Sequence, residues 1–186
     1  MLPDQVISVA KKLWSAIPHR HTNRGRYDQS QKVSAETLQS LKSLISDEQD
    51  VTVFWFTNDY ELSRIGNLVV QATEAIIADH DQSHDSAKWY RFDWDEVRRH
   101  RDGITLDAMG GSALLRAAAK ILPRQSQEQN DQFWLKATRE VHTATASLFG
   151  IIAVRDQDNL AQRMRCGRAW QRIHLWATTR GLKRRN

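Results

Sequence analysis

Val51-Thr52-Val53-Phe54-Trp55-Phe56-Thr57 is dominated by β-branched and aromatic side chains and bounded by polar clusters, which predicts a strand. A second run, Ser147-Leu148-Phe149-Gly150-Ile151-Ile152-Ala153-Val154, reads as a fully buried strand. Nearly everything else with a pattern has helical spacing. The expected class is therefore α+β, a small antiparallel or mixed sheet covered by helices. Two strands make a poor independent sheet, so either the irregular regions hide more or another chain supplies them.

Working outward from these runs, residues 3–17 place Val6, Val9, Ala10, Leu13, Trp14 and Ile17 on one helical face. Ser34 is the expected N-cap of a second helix with Leu38, Leu41, Leu44 and Ile45 inward. After the first strand, Asn58 or Asp59 caps a long helix whose apolar face is Leu62, Ile65, Val69, Ala72 and Ile76. Gly66 and Ala72 within it imply close packing against a neighbour. Residues 80–101 are polar and irregular with interleaved aromatics, as in a lid or an excursion. Two helical segments are expected at 111–122 and 128–140, separated by Pro123. Asp156 or Asp158 caps the last helix, with Leu160, Met164, Gly167, Trp170, Ile173 and Ala177 as its core face; Gly181 stops it.

At 186 residues the chain is one domain, 1–186, and long enough to bury a core. Its net charge of +5 is concentrated at one end. From Arg155 onward nine basic residues face two acidic ones, whereas the preceding 154 residues hold 18 basic and 20 acidic. Such an asymmetry disfavours a general nucleic-acid binder, which needs a basic face shared by several elements. Arg165, Arg168 and Arg172 do line one side of the last helix, leaving a basic docking module as a third reading. The single cysteine, Cys166, excludes an intramolecular disulfide and reads as a buried, inert thiol. No apolar run approaches a membrane span and no signal peptide is evident, so a cytoplasmic location is expected.

The chemistry concentrates in Arg20-His21-Thr22-Asn23-Arg24-Gly25-Arg26-Tyr27-Asp28. On an extended backbone Arg20, Thr22 and Arg24 fall on one side, two guanidiniums and a hydroxyl suited to gripping a phosphate. The same residues also fit a solvated basic loop between two helices. Glu140 and His142 tempt as an acid–base pair, but i and i+2 do not face each other on a helix, so His142 reads as a core-edge residue. His80 and His84 lie among aspartates without a metal-ligand spacing. No dinucleotide fingerprint, P-loop, HExxH or nucleophile elbow occurs, so redox or group-transfer chemistry needs a bound cofactor.

The Arg20-His21-Thr22-Asn23-Arg24 run, Tyr27-Asp28 and the helix start Ser34-Ala35-Glu36-Thr37-Leu38 together resemble the N-terminal signature of the nitroreductase superfamily. A second likeness runs through Trp89-x-Arg91, Arg101-Asp102-Gly103-Ile104, Phe133-Trp134, Thr143-Ala144-Thr145-Ala146, Gly167-Arg168-Ala169-Trp170-Gln171-Arg172, Ala177-Thr178 and Gly181-Leu182. In that order they look like the second half of the internally duplicated, Acg-like nitroreductases, in which one longer chain holds two halves and imitates the usual dimer. The likeness spans about residues 5–182. It implies a nitroreductase-like fold and FMN as cofactor, with Arg20, His21, Thr22 and Arg24 on its phosphate and the catalytic residues unassigned. It further implies NAD(P)H as donor, a small aromatic or quinone-like acceptor, and a homo-oligomer or partner chain. The family's flavin-contacting Pro-Ser-x-x-Asn-x-Gln-Pro-Trp segment is absent, and the ending after Gly181-Leu182 is basic and proline-free. Truncation or a natural short form is the expectation from that ending. A non-catalytic remnant acting through association with another chain is the alternative.

Overall fold

The structure is a computed structural model that describes residues 4–20, 22–30, 32–92, 94–108, 114, 117 and 126–182, and of residues 4–8 and 106 only the backbone. It is mixed α+β, with helices in the majority and a two-stranded antiparallel sheet. The chain divides into two compact units: Met1–His21, Asp28–Asp59 and Ser147–Asn186 form one, and Thr22–Tyr27 with Tyr60–Ala146 the other.

The first unit contains both strands that composition predicts. β1 (Val51–Phe56) pairs antiparallel with β4 (Phe149–Val154), Val51 opposite Val154 and Phe56 opposite Phe149. Gly150 sits opposite Trp55, and a Cβ there would come within 2.8 Å of the indole; the glycine lets the ring lie across the neighbouring strand. One face of this ribbon, with Val51, Val53, Trp55 and Ile152, packs on Leu41, Ile45, Ala169 and Ile173. These last four come from α2 (Ala35–Ser43) with its following turn and from α7 (Leu160–Thr179). α1 (Asp4–Ala16) also packs on α7.

Several burial expectations for this unit are corrected. β4 is not fully buried: Ile151, cross-strand from Phe54, is 47% exposed, because helices cover only the other face. Of the predicted α1 face, Leu13 is half-buried and Val9, Ala10, Trp14 and Ile17 are exposed; the buried residue is Ala16, outside that face. Of the predicted core face of α7, Ile173 is buried and Ala177 half-buried, joined by buried Ala169 and Leu175, whereas Leu160, Met164, Gly167 and Trp170 are exposed. Neither Asp156 nor Asp158 caps this helix; the Asn159 side chain does, accepting from the Gln162 N–H at 3.2 Å. Asp156 turns the approach instead, accepting from the Asp158 N–H at 2.9 Å. Ser34 caps α2 as expected, accepting from the Thr37 N–H at 3.1 Å. Gly181 at φ +64 ends α7, with the Leu182 N–H donating back to the Ala177 carbonyl. Cys166 is half-buried.

The second unit is built on α3 (Asp59–Ala78), whose buried positions are Gly66 and Thr73; of the predicted apolar face Leu62, Ile65 and Ile76 are half-buried, and Val69 and Ala72 are exposed. Residues 80–101 are helical rather than irregular: α4 (His80–Ala87) is capped by Asp79, and α5 (Trp94–His100) follows a short strand. That strand, β2 (Tyr90–Arg91), pairs parallel with β3 (Ile104–Thr105). Composition hides this order because α4 is held by polar bonds, Ser83 donating to Asp131 at 2.8–2.9 Å. α6 (Gln127–Ala137) begins with a capping box from Ser126 and Gln129 and continues as a π-helical turn, Thr138–Thr143. The predicted helix at 111–122 lies outside the described residues but for 114 and 117, which are helical.

Candidate functional site

The candidate segment begins where chain direction changes. Pro18 opens a 3-10 turn over Ile17–His19, after which Arg20 is extended (φ −73, ψ 128) and exposed. His21 lies outside the described residues. Thr22, exposed, starts the stretch Thr22–Tyr27 of the second unit. The chain bends at Gly25, whose N–H donates to Asn23 Oδ1 at 3.0 Å in an Asx turn.

Within the second unit this stretch is tied to the π turn and the residues after it. His142 Nε2 meets the Arg24 carbonyl at 3.2 Å, which implies an N–H donating there. An Arg26 guanidinium N–H donates to the Glu140 carbonyl at 3.4 Å. The Tyr27 N–H donates to Thr145 Oγ1 at 3.0 Å, and that hydroxyl donates onward to the Val141 carbonyl at 2.5 Å. Thr145 is 1% exposed, so the last link is a buried anchor. The partial cover over the Tyr27 ring pushes its phenol pKa up. His142, half-buried, thus holds the segment's backbone at the Arg24 carbonyl.

Arg24 is half-buried, and one guanidinium N–H donates to the Ala108 carbonyl at 3.1 Å. Its remaining donors keep the fork available to a second acceptor. Beside it, Asn23 Nδ2 is buried and has no acceptor among the described residues. An unanswered buried donor is costly. Sequence reasoning passed over Asn23 because its side chain carries no charge; its position between Thr22 and Arg24 was the available signal.

The π turn has its own packing reason. Thr143 Oγ1 donates to the Thr138 and Arg139 carbonyls at 2.9 and 3.2 Å, and a Cβ on Gly66 of α3 would come within 3.2 Å of Thr143 Cβ. The glycine expected to mark a close approach does so here. An open recess of about 360 Å³ runs along α6 and this turn, lined by Gln132, Phe133, Leu135, Lys136, Arg139 and Glu140. Thr22 and Arg24 do not line it.

The basic stripe of α7 is neutralised from within the first unit. Arg168 donates two bonds to Glu48 at 2.6 and 2.5 Å, Arg172 reaches Asp47 at 2.8 Å and Glu48 at 3.1 Å, and Arg165 reaches Asp50 at 3.2 Å. The Glu48 side chain is fully buried. The Arg168 hydrogen bonds hold its carboxyl below the usual carboxylate range, against the opposing effect of burial. Among the described residues no helix is long and apolar enough to cross a membrane.

No family model, curated protein or solved structure matches the chain. The functional reading therefore rests on these residues.

Proposed function

We propose that the chain is an FMN-dependent NAD(P)H oxidoreductase of nitroreductase type, or a fragment of one with a nitroreductase-like fold. The observation that supports it best is the anchored segment 22–27, in which half-buried Arg24 spends one guanidinium N–H on the Ala108 carbonyl among the described residues and Thr22 is exposed. A phosphate monoester supplies several strong acceptor oxygens and a charge that a guanidinium matches. Bound FMN would accept a hydride equivalent from the nicotinamide donor and pass electrons to a small aromatic or quinone-like acceptor. The chain's own residues would bind and orient it: Arg20 and Arg24 would neutralise the phosphate, Thr22 would donate to it, and His21 lies in the same run. Thr145 and His142 hold the segment's backbone in register for that task.

The test is a titration of purified protein against FMN, followed by quenching of flavin fluorescence. Replacing Arg20 or Thr22 by alanine leaves the described anchors of the segment intact. Loss of one charge-assisted contact at Arg20 is expected to weaken FMN binding by about 1.5–3 kcal/mol, roughly 10- to 150-fold in Kd. Wild-type affinity in the Arg20→Ala variant rejects the assignment.

A second reading is a non-catalytic remnant that works through another chain. What favours it is that Arg24 and Arg26 each donate to a backbone carbonyl, a structural use of the basic run that needs no ligand. A protein that stays colourless and quenches no flavin decides for it.

A further inference from the structure

His80 and His84 acquire from the helix a relation that the sequence does not give them. On an irregular segment a separation of four residues is no ligand spacing. On α4 it is about one turn, and it sets both imidazoles on one face. The two rings stand 6.4 Å apart between centroids and 6° from parallel. Both side chains are exposed, that of His80 at 91%, so each ring has room to turn. A metal ion held at about 2.0–2.1 Å by one nitrogen of each ring is within reach of that turn.

The backbone beneath the pair is held in place. Asp79 caps the helix, accepting from the Asp81 and Gln82 N–H groups at 3.2 Å. Ser83, which precedes His84 and is 3% exposed, donates to the Asp131 carboxylate of α6, and Gln127 Nε2 donates to the Ser83 hydroxyl at 2.7 Å. Two ligands on an anchored helix lose less freedom on binding than two on a loop. The surrounding charge favours a cation as well. Asp79, Asp81 and Asp85 flank the pair, and the ammonium of Lys88 is spent on Asp85 at 2.6 Å. The Asp81 carboxylate lies 3.9 Å from His80 Nδ1. A carboxylate there favours the proton on that nitrogen and leaves Nε2 as the metal donor.

Donor chemistry sets the class of ion. Imidazole nitrogen suits nickel, copper and zinc, whereas magnesium and calcium take oxygen ligands. Among the described residues no three His, Cys, Asp or Glu side chains are grouped to hold a metal. Two imidazoles are therefore the share that these residues supply, with water in the remaining positions.

We propose that His80 and His84 of α4 chelate one divalent transition-metal ion of the nickel, copper and zinc class at the protein surface. The site is independent of flavin binding.

Calorimetric titration of the full chain with Ni²⁺ tests it, on protein without a histidine tag and stripped of metal by a chelator. One saturable site per chain is expected, with no binding heat from Mg²⁺. His80→Ala and His84→Ala should each abolish saturation at the concentrations that fill the wild type, while His100→Ala, at the exposed end of α5, leaves it unchanged. The deciding variant exchanges two exposed positions, His84→Ser with Ser86→His, which keeps composition and charge but moves the second imidazole off the face. It should lose the site with an unchanged circular-dichroism spectrum. Wild-type Ni²⁺ affinity in that exchange or in either alanine variant at 80 or 84 overturns the proposal. So do loss of the site in His100→Ala, equal competition by Mg²⁺, and a wild type that shows no saturable binding.

Discussion

Single residues decide how the functional segment is held. Thr145 is the only residue that both receives the Tyr27 N–H and donates to Val141 within the described bonds, and it is buried. Thr145→Val keeps the shape but leaves the Tyr27 N–H without its acceptor, so a loss of about 1–3 kcal/mol is expected in urea unfolding. Gly103 sits at φ +78, where an added Cβ would strike the Trp89 carbonyl. Gly103→Ala should cost about 1–3 kcal/mol by thermal denaturation. The same glycine aligns the Arg91–Asp102 ion pair, 2.7 Å, and the Ile104 N–H donating to the Trp89 carbonyl, 2.7 Å. Trp89-x-Arg91 and Arg101-Asp102-Gly103-Ile104, separate fragments in the sequence, are therefore one joint. Glu48 sets a pH dependence. Its folded pKa is depressed, so its stabilising contribution is present above its unfolded pKa and is lost as pH falls through the folded value. Acid titration of stability should show this limb in wild type, and Glu48→Gln should remove it.

Elements were legible where their composition was one-sided; the inward face was legible for α2, whose Leu41 and Ile45 are buried, and only in part for α3 and α7. Both strands follow from β-branched and aromatic runs, and Ser34 and Gly181 mark helix ends by local chemistry that needs no partner. α7 was misread because it bears two apolar arcs, and periodicity does not say which faces inward. The deciding contacts are long-range: Arg165, Arg168 and Arg172 clamp the acidic turn at 47–50, turning Ala169 and Ile173 to the sheet and Leu160 and Met164 outward. α4 escaped notice for the opposite reason, having hardly any apolar arc. The close contact of α3 with the π turn was anticipated at Gly66, though not its partner. Gly66→Val is expected to overpack that contact and destabilise by about 1–3 kcal/mol, measurable by chemical denaturation.

At the scale of the whole molecule, the charge asymmetry seen in the sequence has an internal use. Arg165, Arg168 and Arg172 of α7 are matched by acidic residues more than a hundred positions away, a pairing that no local pattern reveals. DNA binding by the full chain should accordingly be weak, with a shallow dependence on salt in a filter or anisotropy assay. The candidate site was legible as residue types, Arg20, Thr22 and Arg24. Its anchoring to residues 140–145, and the unanswered amide of Asn23, emerge only when sequence-distant backbone is brought together. Flavin binding is the claim on which the proposed activity rests. Titrating the purified chain into FMN while following fluorescence and the visible spectrum tests it directly. A saturable, stoichiometric yellow complex that weakens in Arg20→Ala is the predicted result; unquenched flavin at every protein concentration contradicts it.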